Sequence, residues 1–359
     1  MNIDALRSVA GAIVAKQKGI LAADESNPTI GKRFDSIKLE STEENRRRYR
    51  ELLFTADGIE RYISGVILFD ETLRQKARGD IPFAKLLSDR GIIPGIKVDK
   101  GAKALALYPA DKVTEGLDGL RERLAEYKQL GAKFAKWRAV IQIDGNDVPS
   151  VYAMGANAHA LARYAALCQE ADIVPIVEPE VLMDGHHGID RCEAVTSQVL
   201  EVLFAELNAH RVVFEGILLK PNMVIAGTKC TNQASAQQIA EASIRCLSRY
   251  VPAAVPGVLF LSGGQSAEDA TVHLNAMNAM GPHPWEISFS YARALQAPVL
   301  ATWEGKENNI AAAQKVLFKR CRLNGLAREG NYSRMMEAAN ESPGSLNPRT
   351  SEQDYPFHK

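Results

Sequence analysis

No apolar run in the 359-residue chain is long enough to cross a bilayer. Cysteine is scarce. The five, at positions 168, 192, 230, 246 and 321, are odd in number, widely spaced and without a CxxC pair. That excludes a disulfide framework and a zinc ribbon, and it fits the reduced thiols of a cytoplasmic protein. Neither sign of charge is in excess, with 43 Lys and Arg against 43 Asp and Glu. A zero balance excludes a general basic surface for nucleic acid but leaves room for a local basic pocket. A GxGxxG turn is missing, which argues against the open doubly wound sheet of dinucleotide-binding proteins. Repeats with a period of roughly 20–50 residues are also missing. The seven histidines are scattered except for His186 and His187 in the glycine-flanked loop "MDGHHGID". With no third ligand nearby, a polar loop is expected there, with no metal site and no cofactor. The N-terminal "MNIDALRSVAGAIVAKQKGI" has apolar residues at helical spacing but no continuous apolar core or cleavage site, so no signal peptide is expected.

What the chain does have is eight short apolar runs separated by helical stretches. The runs are "GILAAD" (19–24), "ISGVILFD" (63–70), "IIPGIKVD" (92–99), "FAKWRAVI" (134–141), "IVPIVEPE" (173–180), "EGILLKPN" (215–222), "GVLFLSGG" (257–264) and "EISFSYAR" (286–293). Segments such as "VYAMGANAHALARYAALCQE" between them place apolar residues at i, i+3, i+4 and i+7. "QSAEDATVHLNAMNAM" opens with a capping signal, Ser266 followed by Asp269. Alternating strands and helices predict parallel strands with helical crossovers, and eight such units predict a closed (β/α)8 TIM barrel. One barrel domain is expected over 1–340, with an extra N-terminal helix. The Ser-, Pro- and Asn-rich end, 341–359, reads as a mobile tail.

Charge collects at the C-terminal ends of these runs: Asp24, Asp70, Lys97 with Asp99, Lys136 with Arg138, Glu178 with Glu180, Lys220, and Arg293 just beyond the eighth. Barrel active sites lie at that face. Period-two alternation sets Lys136 with Arg138, and Glu178 with Glu180, on common faces. A single strand-end lysine usually snorkels to water. A full ring of strand-end charges argues instead for clustered, functional titratable groups. Lys220, desolvated and near Lys136, would give up its proton more readily than a free lysine. A neutral amine attacks a carbonyl to form a Schiff base, whose protonated imine is an electron sink for cleaving a neighbouring C–C bond. Glu178, Glu180 and Asp24 are placed to shuttle the protons. "LSGGQSAED" puts Ser262, Gly263 and Gly264 at the mouth of a helix, where backbone N–H groups can cradle a phosphate with Ser290 and Arg293. Gly263-Gly264 also reads as a plain left-handed turn. Lys97 and Arg138, with Lys32 and Arg33, offer a second phosphate site, although Lys32-Arg33 also reads as a solvated pair.

Nine collinear stretches, "GILAADES", "STEENRRRYR", "GIKVDKG", "GLDGL", "FAKWRAVI", "IVEPE", "LLKPNM", "FLSGGQS" and "ISFSYARALQAP", closely resemble the class I fructose-1,6-bisphosphate aldolases, from about residue 19 to residue 325. The resemblance implies a (β/α)8 barrel that reversibly cleaves fructose 1,6-bisphosphate to dihydroxyacetone phosphate and glyceraldehyde 3-phosphate, without metal, in glycolysis and gluconeogenesis. It also implies a homo-oligomer, commonly a tetramer. Carried over by position, Lys220 matches the Schiff-base lysine, Glu178 the acid/base with Glu180 beside it, and Asp24 the carboxylate that handles the C4 hydroxyl. Lys136 and Arg138 match the cations of the family's "AKWR" stretch. Ser262, Gly263, Gly264, Ser290 and Arg293 match the 1-phosphate site, and Arg33 and Lys97 match phosphate-binding cations.

Three departures stand out. Asn27-Pro28-Thr29 replaces a small run ending in serine in animal members, which leaves Ser26 and the Thr29 hydroxyl for the 6-phosphate. Ala292 replaces a glycine. Tyr355 lies four residues from the end, where many animal members end in tyrosine, and is a possible active-site tail residue. Two other functions stay open: a Schiff-base lyase for a related ketose phosphate, which would keep Lys220 and Glu178, and a non-catalytic scaffold, which would use surface patches and would not need the ring.

Overall fold

The computed structural model describes residues 1–338. The tail from 341 onward and Tyr355 lie outside the described residues. Eight parallel strands close into a barrel: Gly19–Ala23, Ile63–Leu68, Ile93–Lys97, Phe134–Ile141, Val174–Val181, Leu218–Leu219, Gly257–Phe260 and Glu286–Tyr291. Each pairs with its neighbours in chain order, and the first closes on the eighth through Ile20 and Ser290. These are the eight apolar runs. The sixth shrinks to two residues because Pro221 follows Lys220 and carries no N–H for the ladder. The ladder still passes through it. Lys220 N–H donates to Val177 O at 2.8 Å, and Leu261 N–H to Pro221 O at 3.1 Å.

Four of the connecting helices begin where a short hydroxyl side chain accepts an orphan N–H. Thr42 caps Glu43–Phe54, Ser150 caps Val151–Glu170, Ser235 caps Ala236–Tyr250 with Gln238 completing a capping box, and Ser266 caps Ala267–Ala279. Two hairpins have no counterpart in the eight-run pattern: Lys76–Ala77 with Ile81–Pro82, and Ala102–Leu105 with Tyr108–Thr114. Among the described residues, no helix is long and apolar enough to cross a membrane.

Alternation sorts each strand into an outer and an inner row. On the fourth strand Ala135, Trp137, Ala139 and Ile141 face the helices, while Phe134, Lys136, Arg138 and Val140 face inward. The lower part of the barrel is apolar: Ile20, Ala22, Ile67, Phe134, Val174, Ile176, Leu218 and Leu259 pack together. The N-terminal helix, Ile3–Ile13, closes this floor with Leu6, Ala10 and Ile13. Phe134 fits only because its neighbours lack side chains. A Cβ at Gly95 would overlap its ring, and one at Gly65 would come within 3.0 Å. The filled floor leaves space only at the opposite end, where the polar residues lie.

Candidate active site

That space is a cavity of about 410 Å³ at the C-terminal ends of the strands, within the usual range for a small-molecule site. It is lined by the cations Arg33, Lys97, Lys136, Arg138, Lys220 and Arg293 and the carboxylates Asp24, Glu25, Asp99, Glu178 and Glu180. At its centre Glu178 bridges two lysines. Its Oε1 is 2.9 Å from Lys220 Nζ and its Oε2 is 3.2 Å from Lys136 Nζ. Lys136 Nζ also lies 2.7 Å from Asp24 Oδ2. All four side chains are buried. A buried charge is tolerable only when paired, and here each cation meets at least one anion. Glu178 Oε2 is off hydrogen-bond geometry and accepts no hydrogen bond among the described residues, so a lone pair stays available inside the cavity.

The electrostatics hold Asp24, Glu178 and Lys136 ionised. Burial pushes the Asp24 carboxyl up, but the Lys136 and Lys220 ammonium groups overcome that and hold it well below the usual carboxylate range. Burial likewise opposes ionisation of Glu178, and Lys136, Lys220 and Arg138 together lower it. Burial works against the Lys136 charge, and Asp24, Glu178 and Asp99 raise it well above an ordinary lysine. Lys220 therefore has more than the neighbouring lysine expected from sequence. A carboxylate stands between the two amines, ready to take a proton from one of them.

Two polar flanks surround the centre. On one, Ser262, Gly263, Ser290, Ala292 and Arg293 line the cavity where the helix Arg293–Trp303 begins. The Ser290 hydroxyl is buried and has no partner among the described residues. Backbone N–H groups at a helix start, a free hydroxyl and a guanidinium suit a phosphate. On the other, Lys97 sits 2.9 Å from Asp99, and Arg138 pairs with Glu180. Ser26, Thr29 and Arg33 complete that side, with Ser26 Oγ and Thr29 Oγ1 3.0 Å apart.

Not every predicted residue reaches the cavity. Lys32 is exposed and absent from the lining. On the helix Asn27–Asp35, Thr29 and Arg33 share a face at i, i+4, and Lys32 is turned away from it. Gly264 lines an adjoining cavity instead. It sits at φ +73°, and a Cβ there would overlap Met183, so the turn reading holds for Gly264 while Gly263 lines the site. Asp70 stands apart as well. It opens the helix Asp70–Arg74 and pairs with Arg74 at 3.0 Å near the surface.

Sequence reasoning missed the supports. Glu25 is buried between Arg33 and Arg50, with Arg50 Nη2 2.7 Å from Oε2. Gln296 joins them, donating to Glu25 Oε1 at 3.0 Å and to Ala22 O at 2.6 Å. This network ties the end of the first strand to Arg33. Asn222 joins the fifth and sixth strands. Its Oδ1 accepts the Val181 N–H at 2.9 Å, and its Nδ2 donates to Thr196 and to Met223 O. Their signal was present, since Glu25, Arg50 and Asn222 lie within "GILAADES", "STEENRRRYR" and "LLKPNM".

Fold and site together define the barrel class of enzymes, with a charged cavity at the C-terminal ends of the strands. The family model described as fructose-bisphosphate aldolase class-I matches residues 5–349. A probable fructose-bisphosphate aldolase class 1 of Xanthomonas campestris is 56% identical over 92% of this chain and 99% of its own length. Fructose-bisphosphate aldolase 1 of Toxoplasma gondii is 56% identical over 89% of this chain and 88% of its own length. A Plasmodium falciparum fructose-bisphosphate aldolase, solved with TRAP and a small-molecule inhibitor, superposes with a TM-score of 0.91 at 52% identity, covering 92% of this chain and 96% of that one. The chain belongs to the class I fructose-bisphosphate aldolase family, and it is an enzyme.

Proposed function

We propose that the chain cleaves fructose 1,6-bisphosphate through an imine on Lys220, and that the cluster around Glu178 moves the protons. The observation that carries this reading is the 2.9 Å contact between Lys220 Nζ and an ionised, buried Glu178. Glu178 takes a proton from the Lys220 ammonium. The freed amine attacks the substrate's C2 carbonyl, and the tetrahedral carbinolamine forms. Discharging Lys220 removes one of the cations that held Glu178 down, so the carboxyl keeps its proton until the carbinolamine takes it. It protonates the carbinolamine hydroxyl, which leaves as water, and the iminium remains. Asp24 takes the C4 hydroxyl proton, the C3–C4 bond breaks, and its electrons pass to the iminium to give an enamine and an aldehyde. Protonation at C3 and hydrolysis release dihydroxyacetone phosphate and regenerate the amine.

Lys136, touching both Asp24 and Glu178, keeps both carboxylates in their base forms. Arg138 and Glu180 form the adjoining pair at the wall. Ser262, Gly263, Ser290, Ala292 and Arg293 support binding of the 1-phosphate. Lys97, Arg33, Ser26 and Thr29 support binding of the 6-phosphate end. The test is borohydride trapping with fructose 1,6-bisphosphate, then peptide mapping. Label on Lys220 is expected. Label on Lys136 overturns the assignment.

A homotetramer fits the surface. Leu107 is 97% exposed and Val151 80%, and beside them the Tyr108 and Tyr152 rings meet at 5.1 Å. Apolar groups collected on one face suit a second copy of the chain. Light scattering is expected to give four times the chain mass. A cytoplasmic location agrees with five unpaired cysteines.

A further inference from the structure

The helices around the barrel carry a second cluster of ligating side chains, outside the lining of the cavity. His159 lies midway along Val151–Glu170. Glu206 and His210 lie one turn apart at the end of Ile189–Ala209 and just beyond it. One donor atom from each falls within 4.8 Å of the other two. Glu206 Oε2 is 3.1 Å from His159 Nδ1 and 3.6 Å from His210 Nδ1. The two rings meet edge to face at 4.9 Å.

We propose that His159, Glu206 and His210 form a binding site for a divalent ion of the zinc class. Two imidazoles and one carboxylate are the donors a borderline metal selects over calcium or magnesium. Metal–ligand bonds of about 2.0–2.2 Å in a tetrahedron set donors about 3.3–3.6 Å apart, which the two carboxylate–imidazole spacings approximate. Small rotations of the His159 ring, about half exposed, bring the third spacing into range. His210 Nδ1 now bonds the Glu206 carbonyl at 2.9 Å. Metal binding either replaces that hydrogen bond or keeps it as support while Nε2 ligates. Three protein ligands leave a fourth position for water. The ion would clasp the helices that follow the fourth and fifth strands, which carry Lys136 and Glu178. Glu206 and His210 stand four residues apart in the sequence, but the third ligand comes from another helix, so no single stretch displays the set.

The test uses the full chain, freed of metal by a chelator and then titrated with zinc against a chromophoric zinc indicator. The wild type is expected to take up one more equivalent than the double variant His159→Gln/His210→Gln, and to show a rise in melting temperature that the double variant lacks. Glu206→Gln keeps the shape of the side chain and is expected to weaken uptake at least tenfold. Cobalt(II) in place of zinc is expected to give visible bands that disappear in the double variant. Equal uptake by wild type and double variant overturns the proposal. So does loss of the extra equivalent in Cys230→Ser with the histidines intact.

Discussion

Glu178 is the residue on which the site turns, because it faces both lysines at once. Replacing it with glutamine keeps the shape and removes the proton carrier. Glu178→Gln is expected to lower kcat by roughly 10²–10⁴. Single-turnover trapping should show imine formation slowed together with cleavage, since loss of the carbinolamine hydroxyl needs an acid. Near-normal turnover would pass the role to Asp24 or Glu180. Arg293→Ala removes a guanidinium from the start of the last barrel helix while the Gly263 N–H and the Ser290 hydroxyl remain. A lost charge-assisted phosphate contact costs about 1.5–3 kcal/mol, or at least about tenfold in KM, with kcat nearly unchanged. Steady-state kinetics with fructose 1,6-bisphosphate and fructose 1-phosphate check it, and an unchanged KM for both would move the 1-phosphate elsewhere.

The same cluster makes stability depend on acid. Asp24 and Glu178 are lowered in the fold. They bind protons more weakly there than in the unfolded chain. Their stabilising effect is fully present above the ordinary carboxylate range, roughly pH 4–4.5, and is lost as pH falls through the lowered values. Urea midpoints are expected to drop as pH falls from about 5 to about 3, less steeply in Asp24→Asn than in the wild type. Equal slopes would mean that other carboxylates set the acid limit.

At the scale of elements, strand periodicity is the reason Lys220, Lys136, Arg138, Glu178 and Glu180 were readable in the sequence. Successive residues face opposite sides, so a charge two positions from another shares its side, and the end of a barrel strand is where the reaction face lies. Helical geometry is equally local, yet grouping Lys32 with Arg33 by adjacency overlooks the roughly 100° of helix rotation that separates their directions. The short sixth strand hides its own support. Asn222 bonds Val181 across to the fifth strand, a partnership no local pattern encodes. Barrel packing makes a further demand at Gly95. Gly95→Ala pushes a methyl into Phe134 and is expected to cost about 1–3 kcal/mol. Chemical denaturation of Gly95→Ala, Phe134→Leu and the double variant should show the two changes partly cancelling, and strict additivity would mean that the rings and backbone relax independently.

For the whole molecule, the apolar floor separates stability from chemistry. Leu6 reaches into that floor from the N-terminal helix. Leu6→Ala is expected to cost about 2–5 kcal/mol by denaturation while leaving KM near the wild-type value. Turnover is also expected to survive EDTA, because the protonated imine is itself the electron sink. The chelator would empty the outer His159–Glu206–His210 site without slowing cleavage.

The amino-acid sequence by itself determined the eight strands, their parallel order, the barrel class they imply, and the shared faces of Lys136 with Arg138 and of Glu178 with Glu180. Those properties follow from periodicities of two and 3.6 residues and from caps such as Ser266, all of which act within a few residues. Only the tertiary structure decided which charges meet. It set Glu178 between Lys136 and Lys220, left Asp70 outside the ring, and brought Gln296 to Glu25 across 271 residues of chain. Pairing of that kind depends on how the barrel closes and in what register. Closure is a property of all eight strands at once, and no single stretch of sequence carries it.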